Sequence, residues 1–122
     1  MPTGPGTWPS FWMYGDDWPN NGELDVLEGI DVSDDDLFTG HWAKNFNGSL
    51  ATNCFSHADD LASMQGCSIQ AANGTFGPAF NQNNGGIYAM EWNRSSYTKV
   101  WIFKRSDIPN DIIQVYHLPV LI

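Results

Sequence analysis

The stretch Asn20-Asn21-Gly22-Glu23-Leu24-Asp25-Val26-Leu27-Glu28-Gly29 decides how the chain is read. Its first half alternates acid with aliphatic, the two-residue period of a strand that is polar on one face and buried on the other. Glu23 and Asp25 then share a face, and Leu24 and Val26 turn to the core. Strict alternation would place Glu28 beside those aliphatics, where an unpaired carboxylate is costly. One extra residue at Val26-Leu27, a β-bulge, removes the conflict. The phase shifts, Leu27 stays with the core, and Glu28 rejoins Glu23 and Asp25. The expectation is a row of three carboxylates on an exposed face. Like charges in a row destabilise a strand and raise the proton affinity of at least one member, which suits chemistry better than stability. Taken alone, the six residues also fit a solvated strand face. A calcium site is a further alternative, for which Asp34-Asp35-Asp36 is the better candidate, unless that run is simply a solvated turn.

Outward from this strand the periodicity stays short. Strands are predicted at Thr7–Tyr14, Glu23–Ile30, Leu37–Ala43, Ile87–Trp92 and Tyr97–Lys104, the last two joined through Asn93-Arg94-Ser95-Ser96 as a hairpin. No convincing 3.6-residue stripe is present. Residues 45–84, rich in Asn, Gly and Ser, read as long surface loops with one short helical turn at Ala58–Met64. The class is all-β, an antiparallel sandwich. The chain has 122 residues, room for one domain, and 14% aromatics supply a packed core. Sandwiches routinely need about 200–250 residues, so a partial domain, truncated at both ends, is expected.

A net charge of −9 makes phosphate-rich partners poor ones, so neither nucleic acid nor anionic membrane is expected. No apolar run reaches the roughly 18 residues of a membrane-spanning helix, and no signal peptide opens the chain. Three N-glycosylation sequons, at Asn47, Asn73 and Asn93, nevertheless point to secretion. In that compartment Cys54 and Cys67 read as one disulfide closing a loop of about 14 residues, worth roughly 3 kcal/mol; two buried thiols are the alternative.

Two carboxyl groups flanking a glycosidic bond, one ionised and one protonated, are what glycoside hydrolysis requires. With the bulge, Glu23 and Glu28 lie on the order of 13 Å apart at Cα. Leaning inward, their side chains could reach either the roughly 5–5.5 Å of retaining chemistry or the wider inverting separation. Spacing alone leaves both open.

The flanks add more. Gly6-Thr7-Trp8-Pro9-Ser10-Phe11-Trp12-Met13 and Trp18-Pro19-Asn20-Asn21-Gly22 stand upstream. Gly86-Ile87-Tyr88-Ala89-Met90-Glu91-Trp92, Lys99-Val100-Trp101-Ile102-Phe103 and Ile108-Pro109-Asn110-Asp111-Ile112 follow. Together with the acidic strand this set resembles glycoside hydrolase family 16, of the fungal laminarinase-like endo-β-1,3(4)-glucanase type, over about residues 4–112, with 113–122 as a divergent tail. The placing of Cys54 and Cys67 is similar to that subgroup. The resemblance implies a concanavalin-like jelly roll with a concave cleft and a retaining reaction on β-glucan. It makes Glu23 the nucleophile, Glu28 the acid/base, and Asp25 the group that hydrogen-bonds the nucleophile and keeps the two roles apart. Neither metal nor organic cofactor is implied, and the protein is expected to be a secreted monomer. Trp12 and Trp18 are expected at sugar subsites, where pyranose C–H faces pack on flat rings, and His41 on the neighbouring strand of the cleft; Trp8 is expected in the core. The rival readings are a transglycosylase, a carbohydrate-binding module without turnover, and an inactive fragment.

Overall fold

The computed structural model describes residues 1–42, 45–46, 49–50, 54 and 66–115. In chain order the elements are β1 (Ser10–Tyr14), β2 (Glu23–Glu28), β3 (Leu37–His41), β4 (Asn45–Phe46), β5 (Ser49–Leu50), β6 (Cys67–Gln70), helix α1 (Gly77–Gln82), β7 (Gly86–Asn93), β8 (Tyr97–Lys104), a 3-10 turn at Arg105–Asp107 and helix α2 (Asn110–Val115). One antiparallel sheet has the order β1-β2-β3-β6, and β4/β5 and β7/β8 form two-stranded ladders. The all-β antiparallel expectation holds.

Strand β2 sits inside the sheet between β1 and β3; of its aliphatic residues Val26 is buried and Leu24 and Leu27 are half-buried. The turn from β1 closes through Gly22, whose φ of 86° is open to glycine at little cost. Its N–H donates to the Pro19 carbonyl (3.0 Å), and Gly15 N–H donates to the Gly22 carbonyl (3.0 Å). The buried apolar side chains include Val26 on β2 together with Phe76, Phe80 and Cys54. The Phe80 ring lies 5.3 Å from that of Tyr88 on β7, tilted by 56°.

Differences from the sequence reading have local causes. β1 begins at Ser10 rather than Thr7, because the Thr7 carbonyl accepts Asp31 N–H (2.8 Å) in the loop that follows β2. β6 and α1 fall in the stretch read as loop. The residues of β6, CSIQ, offer one aliphatic and no alternation; pairing with β3, from Leu37 opposite Gln70 to Gly40 opposite Cys67, makes them a strand. Helices α1 and α2 have six residues each, too short to show a 3.6-residue stripe. Residues 58–64, the expected helical turn, and residues 116–122 of the tail lie outside the described residues, as does Ala43 at the expected end of β3. The Cys54–Cys67 disulfide is formed, with Cα atoms 4.8 Å apart.

Candidate active site

The bulge falls where the alternation argument requires it. In the β1–β2 ladder Ser10 faces Glu28 and Phe11 faces Leu27, then the register shifts, so that Trp12 faces Asp25, Met13 faces Leu24 and Tyr14 faces Glu23. Val26 is the extra residue and is almost wholly buried. Because directly paired residues share a face, Glu23, Asp25 and Glu28 come to the same side as Ser10, Trp12 and Tyr14. β3 adds His41 opposite Glu23 and Thr39 opposite Asp25. A cavity of about 280 Å³ is lined by Trp8, Ser10, Trp12, Glu23, Asp25 and Glu28. A neighbouring one of about 310 Å³ shares Trp8 and Glu28 and extends to Ile30, Leu37 and Gln70.

The three acids are not equally exposed. Glu23 and Glu28 are half-buried, whereas Asp25 retains 4% of its surface. The expected row on an exposed face is therefore corrected at its centre: β1 and β3 flank Asp25 on both sides. Burial is the main cause that pushes the Asp25 carboxyl up to about 7, and the charges of Glu23 and Glu28 add to it. Asp25 hydrogen-bonds the Glu23 side chain, and its Oδ2 lies 4.0 Å from His41 Nε2.

Two indoles hold the outer acids. Trp18 Nε1–H donates to Glu23 Oε2, and Trp8 Nε1–H donates to Glu28 Oε1 at 2.9 Å. The expectation of Trp8 in the core is thus corrected: it is 68% exposed, and a hydrogen bond to an acid at the cleft, not apolar packing, places it. Trp12 is half exposed beside the acids and stacks on Tyr14, with centroids 5.1 Å apart and planes at 22°. The Trp18 ring lies 6.2 Å from that of His41. All the sequence-derived cleft residues, Trp12, Trp18, His41, Glu23, Asp25 and Glu28, therefore gather at one place. Tyr14 and Ser10 were missed there, although their two-residue spacing from Trp12 on β1 was a usable signal.

Asp36, expected in a solvated turn or a calcium loop, is buried (1% exposed) and accepts Glu28 N–H on Oδ1 at 2.8 Å. Nothing in the Asp34-Asp35-Asp36 run distinguishes it; the tertiary fold does. Ligand atoms of Glu23, Asp25 and His41 lie within 4.8 Å of one another, so these three side chains could also hold a cation. Of the sequons, Asn73 and Asn93 are exposed, and Asn47 lies outside the described residues. Thr75, the hydroxyl residue of the second sequon, accepts Asp36 N–H (3.0 Å) and donates to the Ala72 carbonyl (2.7 Å).

Comparison with known proteins adds to this geometry. The family model described as the XgeA-like, catalytic GH16 domain matches residues 1–119. A probable glycosidase of Schizosaccharomyces pombe is 39% identical over 92% of this chain and 29% of its own length. The endo-1,3(4)-β-glucanase of Emericella nidulans is 36% identical over 88% of this chain and 18% of its own. Among solved structures, laminarinase 16A from Phanerochaete chrysosporium, with β-glucans in both donor and acceptor sites, is 38% identical with a TM-score of 0.78, over 94% of this chain and 42% of that one. An elongating GH family 16 β-1,3-glucosyltransferase is 32% identical with a TM-score of 0.70, over 92% and 40%. The chain thus spans less than half the length of each of these proteins. The jelly-roll class expected for the antiparallel sheets agrees with these neighbours. With the family model matched across nearly the whole chain, and the acids gathered on one bulged strand, the chain belongs to glycoside hydrolase family 16.

Proposed function

We propose that this chain carries the catalytic strand of a retaining endo-β-1,3(4)-glucanase, which cleaves the O-glycosyl bonds of β-glucans by double displacement. The observation that carries the reading is the one-residue bulge of β2. It brings Glu23, Asp25 and Glu28 into a single cavity edged by indole rings. A Glu23 carboxylate oxygen attacks the anomeric carbon while Glu28 gives its proton to the departing glycosidic oxygen. The C–O bond to the leaving sugar breaks as the bond to Glu23 forms. Water then attacks the same carbon, Glu28 takes the water proton, and Glu23 is released. Asp25, protonated below about pH 7, donates to Glu23, which orients the nucleophile and removes one of three crowded charges. Trp12 and Trp18 offer ring faces to the sugar, and His41 borders the same subsite.

The substrate class is supported by the laminarinase neighbour, which holds β-glucans. Secretion, with glycan at Asn47, Asn73 and Asn93, is supported by the formed disulfide and by the exposure of Asn73 and Asn93. The protein is proposed to act as a monomer without a cofactor. Glu23→Gln should abolish release of reducing ends from laminarin while leaving the thermal unfolding profile close to that of the parent. Undiminished hydrolysis by this variant would remove the assignment. A second reading, transfer of the glycosyl group to another sugar, is favoured by the likeness to the elongating glucosyltransferase. Products longer than the donor, formed in the presence of an acceptor oligosaccharide, distinguish it from hydrolysis.

A further inference from the structure

Asp36 takes no part in the double displacement, yet it is more deeply buried than Asp25 and lies directly behind Glu28. Its position follows from how β2 ends. On the β1 side the ladder continues past the bulge, with Glu28 opposite Ser10. On the β3 side it covers only Glu23, Leu24 and Asp25. Past the bulge the backbone therefore needs another acceptor on that side, and the Asp36 Oδ1 takes Glu28 N–H at 2.8 Å. Asp36 is itself held. Its N–H donates to Thr75 Oγ1, and the Thr75 carbonyl accepts the Tyr88 hydroxyl from β7. The next residue, Gly29, lies so close to the Phe76 ring that an added Cβ would come within 2.5 Å of it. The end of β2 is thus gripped by one carboxylate and one aromatic ring.

We propose that Asp36 is a positioning residue for Glu28: it stands in for the missing β3 ladder at the bulged end of β2 and thereby sets the direction in which the Glu28 side chain meets the substrate. The inference rests on the acid/base reading of Glu28. A carboxylate serves better than a neutral group, because a hydrogen bond to a charged acceptor is the stronger one. Several titratable groups face it. Burial is the main cause that lifts its carboxyl to about 6; the N–H groups of Glu28 and Leu37 oppose the rise, and the charges of Glu28 on β2 and Asp35 beside it add to it. Tyr88, across on β7, is pushed above its ordinary range, mainly by burial and then by the Asp36 charge. Asp34 is occupied by Ala79 N–H (3.2 Å). No Lys or Arg pairs with Asp36 among the described residues.

The Trp8 indole N–H, bonded to Glu28, is a built-in reporter. In the 15N-labelled chain, Asp36→Ala should displace the Trp8 indole resonance and leave the other five tryptophan indole signals in place. With laminarin it should lower kcat at least tenfold and leave KM within about twofold. Asp36→Asn, which keeps an acceptor oxygen but not the charge, should fall between the parent and Asp36→Ala in kcat and leave KM near the parent's. The parent's Trp8 resonance should also show a titration step near pH 6 that Asp36→Asn lacks, a change a merely structural role would not produce. An unmoved Trp8 resonance in folded Asp36→Ala overturns the proposal. Where that variant fails to fold, identical Trp8 titrations in the parent and in Asp36→Asn overturn it. Glu28→Gln separates the two readings. Parental turnover by this variant rejects the acid/base role. An inactive Glu28→Gln beside a fully active Asp36→Ala rejects the role of Asp36 alone.

Discussion

At the scale of the residue, Asp25 is the unusual group. A carboxyl flanked on both sides by strands, with a glutamate to either side along its own, is pushed up to about 7 chiefly by burial. Around neutral pH it therefore passes from a donor toward Glu23 to a third like charge in the same cavity. Turnover should fall as pH rises through about 7. Asp25→Asn, which still donates to Glu23 but cannot ionise, should lose that limb of the kcat/KM profile on laminarin; a profile superimposable on the parent would refute the assignment. Asp25→Ala removes the donor altogether. A hydrogen bond to a charged group contributes about 1.5–3 kcal/mol, so kcat/KM should drop roughly 10- to 100-fold.

At the scale of the element, β2 shows how a strand can be acidic on one face and still belong to a core. The ladder to β1 holds both ends in register, and the surplus residue is placed at Val26, which goes inward. The bulge is backed by packing as well as by hydrogen bonds, since Gly29 is pressed against Phe76. Gly29→Ala should overpack this contact, destabilising the chain by about 1–3 kcal/mol and lowering turnover through the adjoining Glu28. Phe76→Leu in the same chain should restore part of both losses. A double-mutant cycle on melting temperature and kcat measures this, and strict additivity would show that the two residues do not meet.

At the scale of the whole molecule, two buried acids, Asp25 and Asp36, have affinities for protons raised above the ordinary carboxylate value. The folded state then holds more protons than the unfolded one between about pH 4 and 7. The stabilising contribution is fully present below about pH 4 and is lost as pH rises through about 6 and then 7. The melting temperature should be higher at pH 5 than at pH 8 by roughly 5 °C or more, and the double variant Asp25→Asn/Asp36→Asn should flatten that dependence. Equal slopes in parent and variant would contradict it. Replacing both Cys54 and Cys67 by alanine opens a loop of 13-residue separation and should cost about 3 kcal/mol of stability, read from chemical denaturation; an unchanged midpoint would show that the bridge stabilises nothing.

Alternation of acid and aliphatic along ELDVLE, and the cost of burying Glu28, were enough by themselves to require a strand, a bulge and a common face for three carboxylates, because side-chain direction in a strand is a local property. The β7/β8 hairpin was legible for the same reason, from two runs of alternating apolar residues on either side of a short polar loop. Which acids are buried was not a local matter, since burial depends on strands and loops far away in sequence. Asp25 is enclosed because β1 and β3 flank it, and Asp36 because Thr75 and Tyr88 close behind it. Trp8 followed the same rule: it was expected in the core, and its indole went instead to the acid that the fold had brought within reach.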